Sequence, residues 1–131
     1  MAKPTHTDAE ILLSLAQLHA QMNVAEGTAY IWNDDFPADF AEFQRKHSRG
    51  MASAEAGLVH RVLGWHETAA TLYRNGLVNE DLLFDWLTVT ATWDRVKSFA
   101  LGVRQHTGEA RMYENFEHMA ERARTWRATR A

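Results

Sequence analysis

The chain has 131 residues, 46% of them hydrophobic, and no cysteine. That length reads as one domain with enough apolar residues to bury a core unaided, and the missing thiols exclude disulfides, thiolate metal sites and cysteine nucleophiles. A formal net charge of −3 argues against general nucleic-acid binding, which needs a basic footprint.

Residues 1–7 lack the apolar core of a signal peptide. Residues 11–22 are too short and too interrupted to cross a bilayer. The expectation is a cytoplasmic protein with no membrane segment, folded as a single helical domain over residues 1–131. Residues 1–6 are expected to be flexible and residues 127–131 to fray.

Apolar residues recur at helical period, with no sustained period-two alternation, which predicts an all-α fold of about six helices. Thr7-Asp8-Ala9-Glu10 has the pattern of a capping box. It opens a first helix with the stripe Ile11, Leu15, Leu18, Met22, widened by Leu12. Asn23 and Glu26 form a second such box, for a helix reaching about Trp32. Asn33-Asp34-Asp35 is a turn, and Pro37 suits the first turn of a short third helix. Phe40 and Phe43 give that helix a buried edge, Phe36 staples its start, and residues 48–50 end it.

A fourth helix is predicted from Ala54 to Arg74. Leu58, Val59, Val62, Leu63, His66, Ala69, Ala70 and Tyr73 share its apolar arc, and Gly76 closes it. The fifth helix, capped by Asn79, is predicted to be the longest. Leu82, Trp86, Val89, Trp93, Val96, Ala100 and Val103 form one unbroken seam until Thr107-Gly108. A sixth helix repeats the device with Met112, Phe116, Met119, Ala123 and Trp126. Short loops predict that helices four to six form an up-down-up three-helix bundle, with the shorter N-terminal helices packed across it.

Among candidate chemical groups, His66 stands in the middle of an apolar arc. It is either a metal ligand or general base, or a core histidine bonded to a carbonyl or hydroxyl; the second reading is the plainer one. His60 and Glu67 share a helix face, but His66 lies about 120° from His60, so the three do not converge on one helix. Thr68, Ala69 and Ala70 follow Glu67, so the helical zinc motif is absent. Glu114, Glu117, His118 and Glu121 invite a di-metal reading, but Asn115 stands where that motif needs a glutamate. They are read as a solvated face, with Glu117 and Glu121 near Arg124 and Arg122. No catalytic residue, metal or cofactor is assigned.

Trp86, Trp93 and Trp126 read as core. Trp65 and Leu72 lie at the edge of the fourth helix's arc. Exposed, they would make an apolar patch for a protein partner or a homodimer; the N-terminal helices would otherwise cover them. Arg122, Arg124, Arg127 and Arg130 complement the negative end of the last helix, with anion or RNA contact as the weaker alternative.

Residues 58–122 carry a set of landmarks: Trp65-His66-Glu67, Leu72-Tyr73-Arg74-Asn75-Gly76, Asp81-Leu82-Leu83-Phe84-Asp85-Trp86, Trp93-Asp94-Arg95 and Tyr113-Glu114-Asn115-Phe116. On these the chain resembles the family called domain of unknown function 4760, small bacterial helical proteins. The resemblance implies a helical fold and a bacterial source, and nothing catalytic. Glu67 and Asp85 are its polar members near apolar arcs, where each could bond Arg95, Arg104 or a neighbouring helix end and fix register. The candidate binding residues are therefore Trp65, His66, Glu67, Leu72 and Asp85. The expected function is a non-enzymatic protein–protein interaction module. The alternative is a small-molecule- or metal-binding enzyme centred on His66 and Glu67.

Overall fold

The computed structural model describes residues 2–130. All regular elements among them are helical: α1 (His6–Gln21), α2 (Val24–Ile31), α3 (Phe40–Lys46), α4 (Ala54–Arg74), α5 (Glu80–Trp86), α6 (Val89–Thr107) and α7 (Glu114–Ala128), with one 3-10 turn at Gly50–Ala52. Met1 and Ala131, parts of the expected flexible and frayed ends, lie outside the described residues. No helix of the described residues is long and apolar enough to cross a membrane.

Local chemistry sets the helix ends, sometimes not at the expected residue. The capping box of α1 uses Thr5 and Asp8, two residues upstream of the predicted one: the Thr5 N–H donates to the Asp8 carboxylate at 2.7 Å. Asp8 has a second task there. It accepts the Asn79 N–H at 2.9 Å and so ties α1 to the start of α5. Asn23 does not cap α2 through its side chain; its backbone is left-handed at φ 51° and its amide donates to Glu26. Asp39, and not the Pro37 region, caps α3 by accepting from the Glu42 N–H. α4 begins and ends as predicted. At its end the Gly76 N–H reaches the Tyr73 carbonyl and the Leu77 N–H reaches Leu72, a complete Schellman closure that uses the left-handed φ of +73° at Gly76.

The predicted fifth helix is two helices. The chain is extended at Leu87, and Thr88 is not helical either, so the seam expected over residues 82–103 breaks. The run Thr88-Val89-Thr90 is β-branched, which costs rotamer freedom in a helix. The break turns α5 so that Leu83 and Phe84 are buried, while Leu82 is only half-buried and Trp86 is exposed. From Val89 onward the predicted seam holds: Val89, Trp93, Val96, Ala100 and Val103 are all buried, joined by Phe99.

α4, with 21 residues, is the longest helix and the axis of the fold. α2 and α7 pack along it, α6 packs on α7, and α3 packs on α6. α1 lies against α2 and α4. The C-terminal bundle is thus α4, α6 and α7, with the N-terminal helices across it. α2 comes close to α4 at Gly27, where a Cβ would stand 2.4 Å from the Leu58 carbonyl oxygen. Gly64, on the same helix as Leu58, has open space where its Cβ would go. Gly27→Ala is therefore expected to lower stability by about 1–3 kcal/mol through overpacking. Gly64→Ala should raise it by about 0.5–1 kcal/mol. Urea unfolding of both variants checks the pair.

Candidate functional site

His66 projects from the middle of α4 into the core and is 7% exposed. Its Nδ1 lies 2.7 Å from the Val62 carbonyl one turn back. A carbonyl can only accept, so Nδ1 carries the proton and Nε2 keeps its lone pair. The ring stacks on Phe116 of α7, with centroids 4.6 Å apart and planes 13° apart, and meets Trp65 in a T-shaped contact with centroids 4.9 Å apart. Burial pushes its pKa down to about 4, only partly opposed by the Val62 bond. At neutral pH it is an uncharged acceptor.

Nε2 has no partner in the protein, yet it is not among the buried polar atoms left unpaired. Its open side is a cleft of about 480 Å³ whose floor includes His66 and Trp65. Trp32 at the end of α2 and Trp86 at the end of α5 wall the mouth, with Leu87 beside them. These two tryptophans are 48% and 38% exposed, unusual for the largest apolar side chain. Thr28, Thr88 and Thr92 add hydroxyls, and His19 of α1 adds a second imidazole that burial also pushes down. The break at Leu87 creates this site. It swings Trp86 out of the core seam, where it was expected, and brings Thr88 and Thr92 to the same opening.

The other residues singled out in the sequence go elsewhere. Trp65 is not a surface patch: α1 covers it, and its indole N–H donates to the Leu15 carbonyl at 2.8 Å while His19 meets it in a T-shaped contact. Leu72 is half-buried in a groove between α1 and α4, beside Ile11 and Leu18. Of the two alternatives the sequence leaves open, cover by the N-terminal helices is the one found. Glu67 does meet a helix end. Its carboxylate accepts the Phe116 N–H at 2.9 Å and supplies the cap that α7 lacks, since Tyr113 before it is left-handed and makes no side-chain cap. Burial pushes the Glu67 pKa up, and the bond from Phe116 pulls it back. Asp85 is exposed and pairs with neither expected arginine: Arg95 donates to the carbonyls of Ile31 and Asn33, and Arg104 pairs with Glu117 at 2.9 Å. Asp85 lies on the exposed side of the turned α5.

His60 also fails to join His66; its Nδ1 meets the Tyr113 hydroxyl at 2.6 Å. Glu117 bonds α6 through Arg104 and not Arg124, which pairs with Asp94 instead. Of the C-terminal arginines, Arg130 pairs with Asp81 and stacks on Trp126, and Arg122 lies against Tyr73 and Glu80. Among the described residues, no three His, Asp or Glu side chains gather as a metal-ligand set.

A helical domain with an aromatic cleft is the class this geometry defines. The model of the family described as Domain of unknown function (DUF4760) matches residues 4–123, and the chain belongs to that family. The match extends N-terminally beyond the stretch that carried the resemblance and so takes in α1 and α2, which complete the cleft. No curated protein and no solved structure matches the chain.

The depressed pKa of His66 has a consequence for stability. In the unfolded chain the imidazole takes up its proton near pH 6.5; in the folded chain it waits until about 4. Above pH 6.5 neither state binds the proton. Between pH 6.5 and about 4 only the unfolded chain does, so stability falls with pH and levels off below that window. The full loss is about 3 kcal/mol. His60 and His19 are shifted the same way and add to the slope. Chemical denaturation across this range should show the fall, and His66→Phe, which keeps a ring against Phe116, should flatten much of it. Equal slopes in both proteins would contradict the assignment.

Proposed function

We propose that this chain is a non-enzymatic binding module whose ligand enters the cleft over His66. One observation carries the proposal: two half-exposed tryptophans flank a concave opening whose floor presents an unpaired, uncharged imidazole nitrogen. Exposed aromatic walls around a few fixed polar groups are the ordinary makeup of a ligand site. The enzyme reading centred on His66 and Glu67 draws less support. His66 spends its N–H on Val62, and Glu67 spends its carboxylate on α7, so the pair offers no coupled acid and base. The arginine reading is weakened likewise, because Arg124 and Arg130 are paired with the chain's own carboxylates.

A second reading keeps the protein partner or homodimer but moves it to another face. Leu101 is exposed beside Phe40 in a shallow, mainly apolar groove of about 1000 Å³ between α3 and α6. A bacterial, cytoplasmic setting is part of either reading, the bacterial source being what the family resemblance suggests.

One experiment separates them. Labelled protein is titrated with a mixture of neutral aromatic fragments and its amide and indole resonances are followed. The cleft reading expects shifts confined to Thr28, Trp32, Trp86, Thr88 and Thr92. No response to any fragment would contradict it. Shifts around Phe40 and Leu101 on simple dilution would move the function to the second groove.

A further inference from the structure

We infer that the ligand of the cleft is an uncharged, planar heterocycle that carries at least one N–H or O–H donor. The inference rests on the binding reading above and narrows it to a chemical class.

Charge is decided by the lining. No Asp, Glu, Lys or Arg is among the residues that form the cleft. Arg95 sits with its guanidinium 5.7 Å from the Trp32 ring and is already committed to two carbonyls, at 2.6 Å and 3.1 Å. A charged ligand would lose its water with no counter-charge to replace it, a cost of several kcal/mol.

Polarity is decided by which hydrogens are already spent. His66 gives its one N–H to Val62, so only the lone pair of Nε2 remains. Thr92 gives its hydroxyl hydrogen to the Thr88 carbonyl at 2.9 Å, so its oxygen too has only lone pairs to offer. The two polar groups of fixed sense in the floor are therefore both acceptors. Thr28 and Thr88 have hydroxyls that can turn to either role. A ligand without a donor would bury these acceptors unpaired and lose about 1–3 kcal/mol.

Shape follows from the aromatic faces. Trp65 and Trp86 are already in edge-to-face contact at 5.7 Å, so no ring enters between them; a flat ring packs instead against the half-exposed Trp32 and Trp86 that line the opening.

Three matched probes test this on the wild-type protein by tryptophan fluorescence or resonance shifts: indole, 1-methylindole and indole-3-carboxylate. Indole should bind about tenfold tighter than 1-methylindole, which keeps the ring and loses the donor. The carboxylate should bind more weakly than indole as well. Equal affinity for indole and 1-methylindole overturns the donor requirement, and tightest binding of the carboxylate overturns the neutral class; in both cases the cleft remains a binding site. Failure of all three probes overturns the binding reading itself. Thr92→Val and His66→Phe should each reduce the preference for indole over 1-methylindole, because each removes an acceptor that only indole can satisfy. An undiminished preference in both folded variants would contradict the role of these acceptors.

Discussion

The contact between the His66 ring and Phe116 is where the helical core and the cleft meet. One face of the imidazole belongs to the α4–α7 interface, stacked at 4.6 Å on the first buried side chain of α7. Its Nδ1 is held by its own helix, at Val62. These two constraints fix the ring and its tautomer together, and the nitrogen left over opens to the cleft. A charged imidazole here would have to be desolvated against Trp65 and Phe116, and burial prevents it. The neutral state is thus a property of the packing, and the acceptor in the cleft follows from it.

The same interface is tied by polar contacts that α4 sends to the start of α7. Glu67 caps Phe116, His60 holds the Tyr113 hydroxyl, and Arg74 and Thr71 hold Asn115 at 3.0 Å and 3.1 Å. α7 has no capping side chain of its own, so its first turn depends on α4 for satisfied donors. That dependence sets the register of the two helices, and with it the position of Phe116 under His66. On the opposite side, α1 closes over Trp65 through the Leu15 carbonyl and brings His19 to the cleft.

Much of this was legible in residue spacing. The bounds of α4, its buried arc, the Gly76 closure and the α6 seam from Val89 onward follow from period and end signals that are local. The core role of His66 and the helix-end role of Glu67 were also readable, because a polar residue on an apolar arc must find a partner. What the spacing hid was the break at Leu87. Steps of three and four run through residues 82–103 without a fault, and neither a proline nor a glycine marks the interruption. Only the β-branched run at Thr88-Val89-Thr90 signals it. The cleft was hidden with the break, since Trp86 counted as core, and Thr28, Thr88, Thr92 and Trp32 come together only through tertiary packing. The fate of Trp65 was equally non-local: its exposure depended on where α1 lies.

Packing holds His66 in one neutral tautomer with its acceptor toward the cleft. Nitrogen-15 chemical shifts of the His66 ring at neutral pH measure this directly. The expected result is a protonated, pyrrole-like Nδ1 and an unprotonated, pyridine-like Nε2. A protonated Nε2, or two equivalent nitrogens of an imidazolium, would contradict it.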